Sequence, residues 1–274
     1  MKAIILDIDG TLLRSDKQLS PKTKASLIEA QEKGMKVILA SGRPTSGMLD
    51  LAKELELEKN NGLIVSYNGS KVVEVATQKE LYNQTLSIEE GKAVLNHMKQ
   101  FDVTVMIDKK DYMYVNDVFS CQVDIQGKLL NVVEYEARGG KYKLCEKDDL
   151  EEFLDYPINK ILTAGEPSYL QENYKEMMAP FKHLNCVFTA PIYFEFTAQG
   201  IDKARALDTV LTPMGINRQD VIAFGDGHND ITMLAYAGVG VAMGNAVPEL
   251  KKIADIETLS NDEDGIATIL SKYL

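Results

Sequence analysis

The chain has 274 residues, 45% of them hydrophobic and 26% charged, so it is long enough to form two domains with their own cores. Its 30 basic and 41 acidic side chains give a formal charge of −11, which argues against bulk binding of nucleic acid or an anionic membrane because both need a basic face. Three cysteines without metal-like spacing, and no pattern typical of a signal peptide or membrane span, lead us to expect a cytoplasmic protein.

The first predicted element is a short apolar run that ends in Asp7, Asp9 and Gly10. A run of this length, bounded by a turn signal, is typical of a strand buried on both faces. Because side chains alternate along an extended chain, Asp7 and Asp9 can point the same way, and their repulsion then calls for a divalent cation such as Mg²⁺. An isolated Asp-x-Asp would instead favour a solvated turn with two capping aspartates.

The following elements alternate between helix and strand. Ser20-Pro21 is a helix start signal and Gly34 a stop signal. The expected elements are a helix at 21–34, a strand at 35–40, a helix at 45–57 and a strand at 63–67. Strand, helix and strand with short connections predict a parallel sheet that is covered by helices.

Asn68-Gly69 separates two β-rich runs, 63–67 and 71–75, and predicts a tight hairpin. Asn68 also lies at the carboxyl end of a core strand, so a role in substrate binding stays open.

From 85 to 191 the pattern mixes hairpin-like strands with helices, which predicts an α+β domain inserted into the α/β one. The elements expected from there onward are helices at 89–100, 118–127 and 168–178 and strands at 103–107, 112–115, 158–163, 186–189 and 193–197. The core is then split into 1–84 and 192–274, where the α/β pattern resumes with a helix at 203–214, strands at 220–224 and 239–243 and a closing helix at 264–274.

Polar side chains gather at the predicted carboxyl ends of three strands, where open parallel sheets bind ligands, and Lys203 begins a helix that could reach the same edge. They are four carboxylates, one hydroxyl and two cations: Asp7, Asp9, Asp226, Asp230, Ser41, Arg43 and Lys203. Such a set suits Mg²⁺-dependent phosphoryl transfer, in which catalysis consists mostly of positioning and charge neutralisation.

Four segments in order resemble the motifs of the haloacid dehalogenase superfamily. They read Asp-Ile-Asp-Gly-Thr from Asp7, Ala-Ser-Gly-Arg ending at Arg43, then Lys203, and Gly-Asp-Gly-His-Asn-Asp ending at Asp230. The long insert, together with Tyr-Asn-Gly at 67–69 and the glycine-rich run at 238–246, resembles the Cof-type subfamily of small-molecule phosphatases. The resemblance spans the whole chain and implies an α/β fold: a Rossmann-like parallel-sheet core with an inserted α+β cap domain, here 85–191.

The resemblance also implies a role for each motif residue. Asp7 is the expected nucleophile, Asp9 the acid and base, and Lys203 restrains Asp7. The remaining expected roles are phosphate or substrate binding by Thr11, Ser41, Gly42, Arg43, Asn68, Lys203 and Asn229, and Mg²⁺ binding by Asp7, the Asp9 backbone carbonyl, Asp226 and Asp230. Alternatives remain: Asp226 and Asp230 as carboxylates at a helix N-terminus, and Arg43 as a surface loop charge.

The expected function is a Mg²⁺-dependent phosphatase of small phosphomonoesters, such as sugar phosphates, that forms an aspartyl-phosphate. The alternatives are a phosphomutase of the phosphomannomutase type and a catalytically idle phosphate-binding regulator. A mutase needs a cap that excludes water and holds a bisphosphate. The cap has no arginine-rich cluster for this, since Arg138 is the only arginine between Arg43 and Arg205. We expect a small phosphorylated metabolite as the partner, no nucleic acid or membrane, and a monomer or weak homodimer.

Overall fold

A computed structural model describes residues 1–125 and 128–274. The strands are β1 (Ala3–Leu6), β2 (Lys36–Ala40), β3 (Leu63–Ser66), β4 (Lys71–Glu74), β5 (Glu80–Asn83), β6 (Thr104–Lys109), β7 (Tyr112–Val115), β8 (Gln122–Ile125), β9 (Lys128–Asn131), β10 (Lys143–Glu146), β11 (Ile161–Ala164), β12 (Asn185–Ala190), β13 (Tyr193–Thr197), β14 (Val221–Gly225), β15 (Val239–Ala242) and β16 (Ile256–Glu257).

The helices are α1 (Pro21–Glu32), α2 (Leu49–Glu54), α3 (Ile88–Met98), α4 (Val132–Gly139), α5 (Leu150–Phe153), α6 (Pro167–Met178), α7 (Lys203–Leu211), α8 (Ile231–Tyr236), α9 (Pro248–Ile253) and α10 (Gly265–Leu270). Within the described residues, no helix combines the length and the apolar character needed to cross a membrane.

Residues Met1–Asn83 and Asp202–Leu274 form one compact unit. Its eight-stranded sheet has the order β16-β15-β14-β1-β2-β3-β4-β5. The strands from β16 to β3 run parallel, and β4 and β5 form an antiparallel edge. This confirms the expected α/β fold with a parallel-sheet core, and the turn between β3 and β4 confirms the hairpin expected at Asn68-Gly69.

Alternate residues of β1 face two separate helical layers. Ile4 and Leu6 pack in one cluster with residues of α1 and α10, whereas Ala3 and Ile5 pack in another with residues of α7 and α8. A strand covered on both faces has no polar side, which explains the unbroken apolar run in the sequence. Since β1 lies between β2 and β14, the loops that follow these three strands are neighbours.

Residues Gln84–Ile201 form the second unit, around a six-stranded sheet of order β10-β7-β6-β11-β13-β12. Most of its neighbouring strands are antiparallel. Helices α3, α5 and α6 contribute to one of its apolar clusters and α4 to another. The unit extends past the boundary expected at 191 because β13 pairs with both β11 and β12.

The helix expected at 118–127 is wrong. The structure has β8 there, paired with β9 in a two-stranded antiparallel sheet and followed by α4. The physical reason is visible in the sequence, since the polar Gln122 and Asp124 alternate with the apolar Val123 and Ile125 in the period of a strand. The last two residues of the expected helix, 126–127, lie outside the described residues.

Candidate active site

Three neighbouring strand ends and one helix start build the site in the first unit. Asp7 follows β1, Ser41 follows β2, Asp226 follows β14, and Lys203 is the first residue of α7. Asp7 and Ser41 are buried, and Lys203 is only 1% exposed. The chain therefore brings together residues that are up to 219 positions apart, as the parallel order predicts.

Lys203 lies at the centre of the site. Its Nζ donates to Asp7 Oδ1 at 2.8 Å, to Asp230 Oδ1 at 2.7 Å and to the Ala40 carbonyl oxygen at 2.9 Å. An ammonium has three donors, so all of them are used and the group is fixed. Burial alone would lower the pKa of Lys203, but the charges of Asp7 and Asp230 outweigh it and raise the pKa, so the side chain stays charged.

Asp7 is buried in an environment that resists its ionisation. Its pKa is raised to about 7, chiefly by desolvation and also by the charges of Asp230 and Asp226, and Lys203 opposes this only in part. One buried ammonium thus faces more than one carboxylate. The uncompensated negative charge is what a cation would neutralise.

The carboxylates of Asp7, Asp226 and Asp230 each offer an oxygen, and these atoms lie within 4.8 Å of one another. Hard divalent cations such as Mg²⁺ prefer clusters of oxygen ligands. The oxygens are also held in place: Thr11 Oγ1 donates to Asp226 Oδ1 at 2.7 Å, and the backbone N–H groups of Asp226 and Gly227 donate to Asp230 Oδ2, each at 3.0 Å. The donor set and its charge therefore fit a magnesium ion.

Gly10 allows the loop after β1 to lie close to Asp226. Its φ is +82°, and a Cβ at this position would lie 2.3 Å from Asp226 Oδ2. Any larger residue would displace that carboxylate or the loop. The glycine that the sequence assigns to a tight turn thus also makes room for one of the candidate metal ligands.

Asp9 is placed differently from the expectation that it points the same way as Asp7. Strand β1 ends at Leu6 and the backbone turns, so the Asp9 carboxylate is absent from the acidic cluster and its side chain is 43% exposed. Arg43 Nε and Nη2 donate to its Oδ2 and Oδ1 at 2.7 and 2.6 Å, and Lys17 Nζ donates to Oδ1 at 3.1 Å. Partial burial would raise the pKa of Asp9, but Arg43 and Lys17 outweigh it and lower the pKa.

A strained turn supports the loop after β2. Tyr67, Asn68 and Gly69 all have positive φ, at 51°, 56° and 101°. The N–H groups of Tyr67 and Asn68 donate to the carbonyl oxygens of Arg43 and Ser41, both at 3.0 Å. This turn therefore fixes the backbone of the loop that carries three of the predicted site residues, Ser41, Gly42 and Arg43.

The Asn68 side chain joins two of the predicted motifs. Its Oδ1 accepts from Asn229 Nδ2 at 3.0 Å. A Cβ on Gly42 would lie 3.0 Å from Asn68 Nδ2, which explains a glycine at that position. The structure thus brings Gly42, Asn68 and Asn229 together.

Three polar residues at the site were missed by the sequence analysis. Lys17 belongs to no motif and contacts Asp9 only through the folded loop. Asn245 Nδ2 donates to the Gly10 carbonyl oxygen at 2.8 Å, and Asn261 Nδ2 to that of Leu13 at 2.9 Å. Only Asn245 had a signal, because it lies in the glycine-rich run at 238–246.

Comparisons with known proteins find similar sequences over nearly the whole chain. A family model described as haloacid dehalogenase-like hydrolase matches residues 4–270. A putative phosphatase of Bacillus subtilis is 31% identical over 266 residues, covering 97% of this chain and 95% of the relative. A 5-amino-6-(5-phospho-D-ribitylamino)uracil phosphatase of the same organism is 29% identical, covering 100% and 96%.

Solved structures show the same fold. A haloacid dehalogenase-like hydrolase from Bacteroides thetaiotaomicron superposes with a TM-score of 0.92 at 34% identity, covering 100% of this chain and 99% of that one. A subclass IIB sugar phosphatase of the superfamily superposes with a TM-score of 0.79 at 25% identity, covering 100% and 99%.

Proposed function

The chain belongs to the haloacid dehalogenase-like hydrolases, and the relatives described above are named as phosphatases. We propose that it is a Mg²⁺-dependent phosphatase of small phosphomonoesters that uses Asp7 as its nucleophile. The observation that carries the proposal is the buried Asp7 carboxylate, which is held by Lys203 beside Asp226 and Asp230. A carboxylate that is fixed and desolvated in this way is prepared for nucleophilic attack.

Asp7, Asp226 and Asp230, with the backbone carbonyl of Asp9, would hold Mg²⁺. When bound, the ion supplies positive charge that offsets the repulsion between the phosphoryl group and the carboxylates.

In the first step Asp7 attacks phosphorus and forms an aspartyl-phosphate. Lys203 restrains the attacking carboxylate and contributes positive charge for the phosphoryl oxygens. Ser41, Gly42, Asn68 and Asn229 form the proposed phosphate-binding surface around it, whereas the Thr11 hydroxyl holds Asp226 Oδ1. Hydrogen bonds from the Tyr67 and Asn68 N–H groups anchor the loop after β2, which reduces the rearrangement needed when substrate enters.

Asp9 serves as acid and then as base. It protonates the leaving alcohol, and afterwards takes a proton from the water that hydrolyses the aspartyl-phosphate. Arg43 and Lys17 keep Asp9 ionised at rest, but the negative charge of an incoming phosphate favours its protonated form.

Small phosphorylated metabolites are the proposed substrates. The relatives support this class, since one is named for a phosphorylated ribitylamino-uracil and a structural neighbour is a sugar phosphatase. We assign substrate selection to the second unit, as expected for the inserted domain. The mutase alternative gains no support from Arg138, because its guanidinium pairs with Glu134 on the same helix and is 80% exposed.

Replacing the nucleophile tests the proposal. Asp7→Asn is expected to lower the release of phosphate from p-nitrophenyl phosphate in Mg²⁺ by at least about 10⁴-fold, as for other catalytic groups that act as a unit. Glu58→Gln is a matched control, since it makes the same change on an exposed side chain. Retained turnover in a folded Asp7→Asn protein would exclude Asp7 as the nucleophile. Free phosphate released in proportion to the sugar phosphate consumed, without isomerised product, would exclude the mutase.

A further inference from the structure

Two cations hold the Asp9 carboxylate from different loops, and we propose that Lys17 and Arg43 are positioning residues that select Asp9 Oδ2 as the atom that exchanges the proton. The inference rests on the proposed function, because it specifies how the acid and base of that reaction is oriented. It assigns a role to Lys17, which lies outside every sequence motif, and makes Arg43 act through Asp9 rather than on the substrate.

Counting lone pairs identifies the reactive oxygen. An ionised carboxylate offers about four acceptor positions, two on each oxygen. Oδ1 accepts from Arg43 Nη2 and from Lys17 Nζ, so both of its positions are filled. Oδ2 accepts from Arg43 Nε alone among the described residues. One acceptor position therefore remains, on Oδ2, and the bidentate guanidinium fixes the plane in which it lies.

Arg43 comes from a loop that is anchored on both sides. Its N–H donates to Ser41 Oγ at 3.2 Å, and its carbonyl oxygen accepts from the Tyr67 N–H at 3.0 Å. Its side chain is only 28% exposed. The guanidinium is therefore a fixed reference against which the Asp9 carboxylate is oriented.

Lys17 comes from a second anchored loop. It has a φ of 64°, and its N–H donates to the Arg14 carbonyl oxygen at 2.9 Å, which closes a tight turn. Asp262 accepts from both the N–H and the hydroxyl of Ser15, at 2.9 and 2.7 Å. The turn thus holds the exposed Lys17 side chain against Asp9 Oδ1. There Lys17 Nζ fills an acceptor position that a proton could otherwise take.

Asp9 Oδ2 then takes part in both proton transfers of the reaction. As the Asp7 oxygen bonds to phosphorus, the bond from phosphorus to the ester oxygen breaks, and its electron pair stays on that oxygen. Asp9 Oδ2–H gives its proton to this oxygen, and a neutral alcohol leaves. Water then attacks the aspartyl-phosphate, returns a proton to Asp9 Oδ2 and frees the Asp7 carboxylate and inorganic phosphate.

Leaving groups of different basicity separate this role from substrate binding. An alkyl phosphate needs a proton on its leaving oxygen, whereas p-nitrophenyl phosphate leaves as a stable anion and needs little help. We therefore compare glycerol 2-phosphate with p-nitrophenyl phosphate in the wild type, Lys17→Gln, Arg43→Gln, Asp9→Asn and both double variants with Asp9→Asn. Lys22→Gln is the matched control, because it removes the same charge from an exposed lysine of the same unit.

Hydrolysis of the aspartyl-phosphate also uses Asp9 and is common to both esters, so the comparison uses kcat/KM, which reports the steps up to loss of the alcohol. We expect Lys17→Gln to lower kcat/KM for glycerol 2-phosphate by about tenfold and Arg43→Gln by about 10²-fold, as for other misplaced catalytic groups. For p-nitrophenyl phosphate, kcat/KM should change less than about threefold. Neither change should add to that of Asp9→Asn, since residues that act through one group are not additive. Lys17→Arg, which keeps a donor, should recover most of the turnover.

Three results would overturn the inference: equal losses of kcat/KM on both substrates, losses that add to that of Asp9→Asn, or a higher kcat/KM for glycerol 2-phosphate in Lys17→Gln. A rise in KM alone would show that the cations bind substrate instead. If the wild type released no phosphate from either ester, the proposed function would fail, whereas an active wild type with additive variants rejects only the positioning role.

Discussion

Lys203 shows why individual residues of this site depend on one another. It is buried and contacts two carboxylates, so its removal leaves Asp7 and Asp230 without their shared partner. We expect Lys203→Met to lower the free energy of unfolding of metal-free protein by about 3 kcal/mol, the usual cost of breaking a buried ion pair. Denaturant unfolding measures this loss, and Mg²⁺ should restore more stability to the variant than to the wild type. An unchanged response to Mg²⁺ would contradict a shared role in neutralising the same carboxylates.

The raised pKa of Asp7 predicts how Mg²⁺ binding depends on pH. In the metal-free folded chain the pKa of Asp7 is about 7 against an ordinary value of 3.8, so proton binding at Asp7 stabilises the fold at low pH and this contribution is lost as pH rises toward 7. A bound cation requires the ionised form. The Mg²⁺ affinity should therefore rise by about tenfold per pH unit between roughly pH 5 and 7 and level off above, since one proton is released.

Isothermal titration at a series of pH values measures this dependence. Asp9→Asn is the control, because its side chain is not among the clustered carboxylates, and it should keep the slope. A Mg²⁺ affinity independent of pH over this range would contradict the raised pKa.

For individual residues, the sequence predicts which side chains cluster at the site better than it predicts which side chains contact one another. Asp7, Asp226 and Lys203 follow or begin regular elements, so their neighbourhood follows from the order of parallel strands. The contact between Asp9 and Lys17 depends on how the loop after β1 closes, and no periodic pattern encodes this closure. Sequence alone therefore placed Asp9 beside Asp7, whereas the fold turns its carboxylate toward two cations.

At the scale of elements, the turn at 67–69 combines backbone strain with a side-chain contact, and two variants separate them. Asn68→Gly keeps the left-handed conformation but loses the contact with Asn229, whereas Asn68→Ala loses both. We expect Asn68→Ala to be less stable than Asn68→Gly by about 1 kcal/mol, the cost of a left-handed alanine. Both should lose turnover to a similar extent, because both lack the carboxamide.

Thermal unfolding and steady-state kinetics on the two variants check this prediction. If Asn68→Gly kept wild-type turnover, the carboxamide would have no part in the site, and the turn would serve only to support the loop after β2.

The elements of the two units were not equally predictable. In the first unit, strands buried on both faces give unbroken apolar runs, which contrast clearly with amphipathic helices. In the second unit, β8, β9 and β10 are short and partly polar, and α4 follows β9 directly. Their pairing depends on contacts between distant residues, so the prediction of a helix at 118–127 fails at the short alternating run of β8.

At the scale of the whole molecule, each unit has its own apolar clusters. The second unit also contains a buried ion pair, in which Lys160 Nζ donates to Glu195 Oε1 at 2.9 Å. Burial would lower the pKa of Lys160, but Glu195 and other carboxylates outweigh it and raise the pKa, so Lys160 stays charged. Removal of one partner leaves an uncompensated charge inside this unit alone.

Because each unit has its own apolar clusters, we expect Mg²⁺ and the Glu195→Gln substitution to affect different unfolding transitions. All candidate Mg²⁺ ligands lie in the first unit, so Mg²⁺ at 100 times its dissociation constant should stabilise that unit by about 2.7 kcal/mol through mass action. Glu195→Gln should destabilise the second unit by about 3 kcal/mol. Calorimetry should therefore resolve two transitions, one raised by Mg²⁺ and the other lowered by the variant. Asp7→Asn should abolish the first shift and leave the second, whereas a single transition that responds to both changes would show that the two units unfold as one.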